Sequence, residues 1–141
     1  PSSIIAINNG NGSLPAGQAG FTIQKLPVMT QLSSVNAIHC MDINNDGKTD
    51  LVLGGNQYGF LPQFERLDGS FGDVLINNGN NSFTWVNPVQ SGLHVQGEVR
   101  DIIEIPGTNN NNLLFLLNDD YPALYHFNNK LKTNINSKHS K

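Results

Sequence analysis

One short stretch with oxygen-bearing side chains at alternating positions constrains the fold of this chain more than any other feature. Side chains with oxygen donors occupy its positions one, three, five and nine, and glycine occupies position six. Apolar, strand-like residues flank it, at 37–41 before and 51–53 after. The pattern predicts a tight loop between two β-strands, with the sequence Asp42-Ile43-Asn44-Asn45-Asp46-Gly47-Lys48-Thr49-Asp50-Leu51.

The loop has the ligand chemistry of a calcium site. Calcium takes six to eight oxygen ligands in a flexible cage, and alternate side chains of a wound loop converge on one point. We expect side-chain ligation by Asp42, Asn44, Asp46 and Asp50, and ligation by the backbone carbonyl of Lys48, whose ammonium points to solvent. The alternative is a solvated Asn/Asp/Gly turn without metal.

The spacing excludes a helix–loop–helix calcium site. Such a loop closes with a bidentate Glu at position twelve, and position twelve is Leu53 in an apolar run. A loop between strands is therefore favoured over a loop between helices.

Two further matches indicate internal repeats. The text Ile-Asn-Asn-Gly-Asn-x-Ser begins at Ile7 and again at Ile76, with strand-like residues on both sides of each copy. The strand Val35–Ile38 aligns with Val99–Ile102, and Leu51–Leu53 aligns with 113–115. The second unit carries Pro-Gly-Thr-Asn-Asn-Asn-Asn in place of the acidic loop, so we expect no metal there. Repeats of short strands and turns are typical of β-propeller blades.

The acidic loop resembles the calcium loop of FG-GAP and VCBS repeats, which build integrin-like β-propellers. In that family the loop reads D-x-[DN]-x-D-G-x-x-D-L, and 42–51 fits every fixed position. Looser similarity, over about 35–127, is to VCBS-repeat proteins of the cartilage-acidic-protein-like (ASPIC/UnbV-associated) bacterial group. The resemblance implies a calcium loop joining the first two strands of a blade, in a secreted or surface protein.

The chain departs from the integrin-type repeat in one respect. The Phe-Gly and Gly-Ala-Pro signatures are out of place, since Phe71-Gly72 follows the metal loop. An integrin-type mode of ligand binding is therefore not implied.

These observations predict an all-β chain of four-stranded antiparallel propeller blades. Residues 1–34 would end a preceding blade and add a linker, and 35–90 would form a complete blade with strands at 37–41, 51–54, 73–76 and 83–86. Residues 91–129 would form the following blade with a degenerate loop, and 130–141 a polar tail. A closed propeller needs at least four blades. We therefore expect a fragment of a larger propeller, completed in the same chain or by oligomerisation.

Composition excludes several classes of protein. With 13% charged residues and a net charge of −3, the chain offers no basic field for nucleic acid. No run approaches the length of a membrane span. The single Cys40 indicates no disulfide framework, and we expect a buried, inert thiol.

No catalytic motif is present, so the sequence favours a binding module over an enzyme. Glu98 and Arg100 share one strand face, where they either bind a polar ligand or form a structural ion pair. Tyr58, Arg66 and Asp68 in the long 56–70 excursion are the other candidate ligand contacts, or plain loop packing.

The prediction is therefore a calcium-stabilised module for protein–protein or glycan recognition. It would act outside the cell, at the cell surface or in the periplasm. The alternative is part of a propeller enzyme whose active site lies partly outside this chain, and a purely structural module is a third possibility.

Overall fold

The chain forms three antiparallel β-sheets. The computed structural model describes residues 2–8, 10, 20–59, 67–108 and 111–126. Within them, nine strands alternate with turns, and the helical structure is one 3-10 turn at Val28–Gln31 and one α-helical turn, α1, at Pro88–Ser91. The all-β antiparallel prediction is confirmed for this part of the chain.

The sheets follow one another along the sequence. The hairpin sheet pairs β1 (Ile4–Asn8) with β2 (Phe21–Lys25). The middle sheet has the order β3 (Val35–Met41), β4 (Asp50–Gly55), β5 (Asp73–Gly79) and β6 (Ser82–Val86). The C-terminal sheet consists of β7 (Val99–Ile105), β8 (Asn112–Leu117) and β9 (Ala123–His126). The four strands predicted for the middle unit are thus present in one sheet; the described residues form no closed ring.

The middle sheet lies between the other two. Its face with Ala37, Val52 and Val74 packs on the C-terminal sheet, where Leu113 and Phe115 are buried in the same apolar cluster. Its opposite face, with Leu51, Leu53 and Leu75, packs against Leu26 and the half-buried Ile5 of the N-terminal layer. Because it is covered on both faces, β4 is buried along its whole length.

Two glycines allow the sheets and connections to approach β4 closely. A Cβ on Gly54 would lie 2.4 Å from Val99 Cγ1, and a Cβ on Gly55 would lie 1.9 Å from the carbonyl oxygen of Ser34. Either side chain would displace β7 or the entry to β3. The Gly-Gly pair at the end of β4 is therefore a packing requirement.

The prediction that Cys40 is buried was wrong; this residue lies on the side of β3 that faces the hairpin sheet. Cys40, expected to be buried, is exposed, as is Ile38 on the same face. The two strands of the hairpin sheet cover the leucines of β4 and β5, whereas this part of β3 extends beyond that cover. Strand periodicity alone does not show how far a neighbouring layer reaches.

Connections lie at two ends of the stack. At one end, the loop end, are the 42–49 loop, the β5–β6 turn and the β7–β8 connection. At the opposite end are the connections over 26–34, 87–98 and 118–122, and the described parts, 56–59 and 67–72, of the connection between β4 and β5. The first strands of the middle and C-terminal sheets, β3 and β7, run in the same direction. Two contacts show this: Asn36 Nδ2 donates to the Val99 carbonyl, and further along both strands His39 lies 3.3 Å from Glu104.

Asn56 joins three connections at the end opposite the 42–49 loop. Its amide donates to the carbonyl oxygens of Ser70 (2.7 Å) and Gly97 (3.0 Å). Its Oδ1 accepts from the Ser70 backbone N–H and from the Ser33 hydroxyl, each at 2.9 Å. Asn56 is buried with φ of 74°, a left-handed conformation that Asn adopts more readily than most residues. One side chain thereby forms hydrogen bonds with four polar groups of these connections.

Asp73, at the start of β5, is a buried carboxylate without a cationic partner in the described contacts. Trp85 Nε1 donates to its Oδ1 at 2.6 Å, and the Ser70 hydroxyl lies 3.4 Å from its Oδ2. Burial raises the pKa of Asp73, and the hydrogen bonds from Trp85 and Ser70 oppose the rise.

We predict that Asp73→Asn reduces the pH dependence of stability. A raised pKa means that the folded state binds a proton more strongly than the unfolded state. The wild-type chain should therefore gain stability relative to Asp73→Asn as pH falls from about 7 to about 4.5, through the folded pKa towards the unfolded value. Urea unfolding at both pH values measures the difference.

Trp85→Phe, which changes the partner of Asp73, should alter the pH dependence of stability in the opposite direction. It removes a hydrogen bond that favours the charged carboxylate, so the gain in stability on acidification should exceed that of the wild type. An identical pH response in all three proteins would contradict the assignment.

Candidate metal centre

The acidic loop between β3 and β4 winds tightly because two of its residues adopt left-handed conformations. Asn45 has φ of 58° and Gly47 has φ of 82°. Asn and Gly adopt this region at low cost. The glycine predicted to allow the sharp turn therefore does so.

Asp42 and Asn44 organise the first half of the loop. Asp42 Oδ1 accepts from the backbone N–H of Asp46 at 3.1 Å, and Oδ2 accepts from Gly47 at 2.9 Å. Asn44 Oδ1 also accepts from the Asp46 N–H, at 3.1 Å. The backbone is thus wrapped around the side chains at positions one and three.

Asp46 lies at the exposed side of the loop with Lys48. Lys48 Nζ is 2.9 Å from Asp46 Oδ2, and the Lys48 backbone N–H donates to Oδ1 at 2.9 Å. The side-chain hydrogen bond from Lys48 is the main cause that lowers the pKa of Asp46. The Lys48 side chain is 42% exposed, and its ammonium, which we expected to point to solvent, also forms an ion pair with the Asp46 carboxylate.

Asp50 anchors the loop to the sheet. It is fully buried, and its Oδ2 accepts from the Ile43 N–H at 2.9 Å while its Oδ1 accepts from the Asn77 N–H at 2.8 Å. Burial raises the pKa of Asp50, the two backbone hydrogen bonds oppose this, and the charges of Asp46 and Asp42 raise it further. The three carboxylates therefore lie within electrostatic reach of one another.

Sequence reasoning missed the contribution of Asn77. Its backbone N–H holds Asp50, and its amide donates to the Thr49 carbonyl at 3.1 Å, so β5 supports the end of the loop. Asn77 belongs to the repeated Ile-Asn-Asn-Gly text. That repeat marked the residue without showing that it would lie beside the acidic loop.

The residues of the loop fit a hard cation by their donor chemistry. Asp42, Asn44, Asp46 and Asp50 all carry side-chain oxygens, which are the donors that calcium prefers, and a carboxylate oxygen that accepts one N–H keeps a further lone pair. The amide nitrogen of Asn44 donates to Asp46 Oδ2 at 3.2 Å. In the part of the chain that the structure describes, no three His, Cys, Asp or Glu side chains are grouped so as to hold a metal ion. The Asp50 carboxylate in particular is directed to backbone N–H groups.

Glu98 and Arg100, two of the candidate ligand contacts, lie at the opposite end of the stack. Glu98 is buried, with its side chain 4% exposed, and forms an ion pair of 2.9 Å with Arg100, whose side chain is 56% exposed. Asn118 Nδ2 also donates to Glu98, at 3.2 Å. Glu98 and Arg100 do share one face, and only the guanidinium of the pair is accessible.

Tyr58 and Asp68 belong to the base of the long excursion between β4 and β5. Gln57 and Leu67 pair there as an isolated β-bridge, which brings the two residues that flank it near each other. Arg66 lies outside the described residues. At the same end, the rings of Phe71 and His94 are stacked with their centroids 4.6 Å apart. The sequence did not indicate this pair.

Comparisons with known proteins identify no relative. No family model, no curated protein and no solved structure matches the chain. Among the described residues no helix is long and apolar enough to cross a membrane.

We predict that Asp50 stabilises the fold even without metal. Asp50→Ala leaves the buried N–H of Ile43 and the partly buried N–H of Asn77 without their acceptor, and should lower the free energy of unfolding by about 2–4 kcal/mol in the presence of a chelator. Asp46→Ala is the matched control: its carboxylate is exposed, so the loss should be much smaller than that of Asp50→Ala. Chemical denaturation with chelator present measures both, and equal losses would contradict the anchoring role.

Proposed function

We propose that this chain is a calcium-stabilised binding or scaffold module made of β-propeller blades of the FG-GAP/VCBS type. The observation that carries the proposal is the loop 42–51. It fits every fixed position of that calcium motif, and it joins the first two strands of a four-stranded antiparallel sheet. A location outside the cell, at its surface or in the periplasm accompanies the proposal, because free calcium is abundant in such compartments.

Calcium would act on the stability of the module. Asp42, Asn44 and Asp46, with the Lys48 carbonyl and Asp50, would supply its oxygen ligands. The cation would neutralise carboxylates that repel one another, as the effect of Asp42 and Asp46 on the pKa of Asp50 indicates. Since Asp50 also holds Ile43 and Asn77, a rigid loop supports the junction of β3, β4 and β5.

The binding surface would lie at the end away from the metal loop. Long connections carry function more often than tight turns, and this end holds 87–98 and the two described ends, 56–59 and 67–72, of the long connection between β4 and β5. Arg100 presents an accessible guanidinium held in place by Glu98, and Phe71 is a partly exposed aromatic ring. Guanidinium groups bind carboxylates and sulfates, so an acidic glycan or an acidic protein segment fits this end.

We predict that calcium raises the thermal midpoint of the chain and that Asp46→Ala abolishes the rise. Calcium at 100 times its dissociation constant would add about 2.7 kcal/mol of stability. Asp46 is the best ligand to remove, because its described contacts are confined to the loop and the metal-free fold should tolerate the change. Thermal unfolding followed by circular dichroism, with calcium or with chelator, measures the shift.

Two variants control this experiment. Asp120→Ala removes an exposed carboxylate at the other end and should keep the full calcium response. Lys48→Gln removes the ammonium that competes for Asp46 and should tighten calcium binding by about 2- to 5-fold, as expected for loss of an exposed ion pair. A midpoint indifferent to calcium in the wild type would overturn the metal centre.

We also predict that acidic ligands require Arg100. A glycan array probed with the calcium-loaded chain should show uronate- or sulfate-bearing glycans, and Arg100→Ala should weaken their binding by about tenfold or more, a loss of about 1.4 kcal/mol. Lys25→Ala removes an exposed cation at the same end but on the hairpin sheet, a different layer from Arg100, and should weaken binding much less than Arg100→Ala does. Binding that survives Arg100→Ala would move the ligand site elsewhere, and an array without signal would remove glycans from the proposal.

A further inference from the structure

The two outer layers of the stack each leave one apolar sheet face exposed. On the hairpin sheet, strand pairing places Ile4 beside Lys25 and Ala6 beside Ile23 on the face away from the middle sheet. Ile23 is 59% exposed and Phe21, on the same face, 51%. We call this face of β1 and β2 the hairpin outer face.

The C-terminal sheet has a corresponding face on the other side of the stack. Leu113 and Phe115 point into the core, so Leu114 and its cross-strand partners Ile103 and Leu124 point away from it. Leu124 is 51% exposed and Ile103 is 41% exposed. We call this face of β7, β8 and β9 the C-terminal outer face. Exposed apolar faces of paired strands mark contact surfaces in soluble proteins.

The internal repeat shows which sheet faces are equivalent. The match of Ile7 with Ile76 puts β1 in the place of β5, so Ala6 corresponds to Leu75. The hairpin outer face is therefore equivalent to the Leu75 side of the middle sheet. The match of 113–115 with 51–53 puts β8 in the place of β4, so Leu114 corresponds to Val52. The C-terminal outer face is equivalent to the Val52 side.

Within the chain, each contact between neighbouring sheets joins a face equivalent to the Val52 side to a face equivalent to the Leu75 side. The Val52 side of the middle sheet packs on Leu113 and Phe115, which correspond to Leu51 and Leu53 on the Leu75 side. The contact between the hairpin sheet and the middle sheet is of the same type. Ile5 corresponds to Val74, which is on the Val52 side, and Ile5 packs against the leucines on the Leu75 side of the middle sheet. Of the two exposed faces, the hairpin outer face is equivalent to the Leu75 side and the C-terminal outer face to the Val52 side. The two can therefore pair as the sheets within the chain do.

Charge does not oppose a contact between the two outer faces. The charged residue on the hairpin outer face is Lys25, and on the C-terminal outer face it is Asp101, which alternates with Ile103 along β7. Both are exposed, and both lie at the end opposite the metal loop. Two copies of either face alone would instead bring like charges together.

We propose that copies of this chain associate head to tail, with the C-terminal outer face of one copy packed on the hairpin outer face of the next. The contact continues the layer packing already present within each copy. A contact between different faces is heterologous, so it produces closed rings when the rotation between copies closes and open stacks when it does not. The inference does not depend on the metal centre, because both faces consist of strand residues away from that loop.

Two single variants and their mixture test the proposal. Ile23→Lys damages the hairpin outer face and Leu124→Lys damages the C-terminal outer face, and both residues are exposed enough for the fold to tolerate the change. Light scattering coupled to size-exclusion chromatography, with calcium present, gives the mass of each protein over a range of concentrations. Val89→Lys, on a residue 93% exposed in α1, is the control and should assemble as the wild type does.

The head-to-tail contact predicts a specific pattern. The wild type should form assemblies, and each variant alone should weaken them by at least about tenfold in dissociation constant. An equimolar mixture of the two variants should form dimers, because one intact face of each kind remains. Association of either variant alone at wild-type strength would show a contact between like faces and overturn the proposal. A wild type that stays monomeric at all concentrations would also overturn it, and would leave the faces to further sheets of a longer polypeptide or to another protein.

Discussion

The burial of β4 between two other sheets is the constraint on which the rest of the structure depends. Apolar side chains alternate on both of its faces, and each face meets a different layer. A strand covered on both sides needs no polar face, which explains the continuous run Leu51-Val52-Leu53-Gly54-Gly55. The two ends of this strand are then fixed points. Asp50 at one end is buried and must have its carboxylate satisfied by backbone N–H groups, and Asn56 just beyond the other end satisfies three connections at once.

The strands were predictable from sequence because their signals are local. Alternation, turn residues and the repeated Ile-Asn-Asn-Gly text gave the four strands of the middle sheet to within a few residues. Burial was less predictable, since it depends on which layer reaches a given strand. Cys40 has the apolar context of a core residue and is nevertheless exposed, because the hairpin sheet covers β4 and β5 but not this part of β3.

In the candidate metal centre, too, the local features were predictable from sequence and the others were not. The order of oxygen donors in 42–50 and the need for glycine at 47 are properties of the loop sequence, and the structure has the corresponding left-handed turn. The hold of Asn77 on Asp50 comes from a strand 27 residues away, and the contact of Lys48 with Asp46 is a choice of side-chain rotamer. Neither is encoded in the spacing of a motif, so no pattern within the loop could have predicted them.

The corresponding connection of the C-terminal sheet shows how a blade-like unit is held without an acidic loop. Its β7–β8 end has Glu104 in contact with Asn111, and the same Glu104 lies 3.3 Å from His39 of the middle sheet. A single carboxylate there contacts an amide of its own connection and an imidazole of the neighbouring layer, where the middle sheet has three carboxylates in one loop. Contacts between layers therefore replace contacts within the loop. The acidic loop lies on the layer that is already packed on both faces, so a cation bound there would strengthen the most constrained part of the stack, away from the connections at the other end.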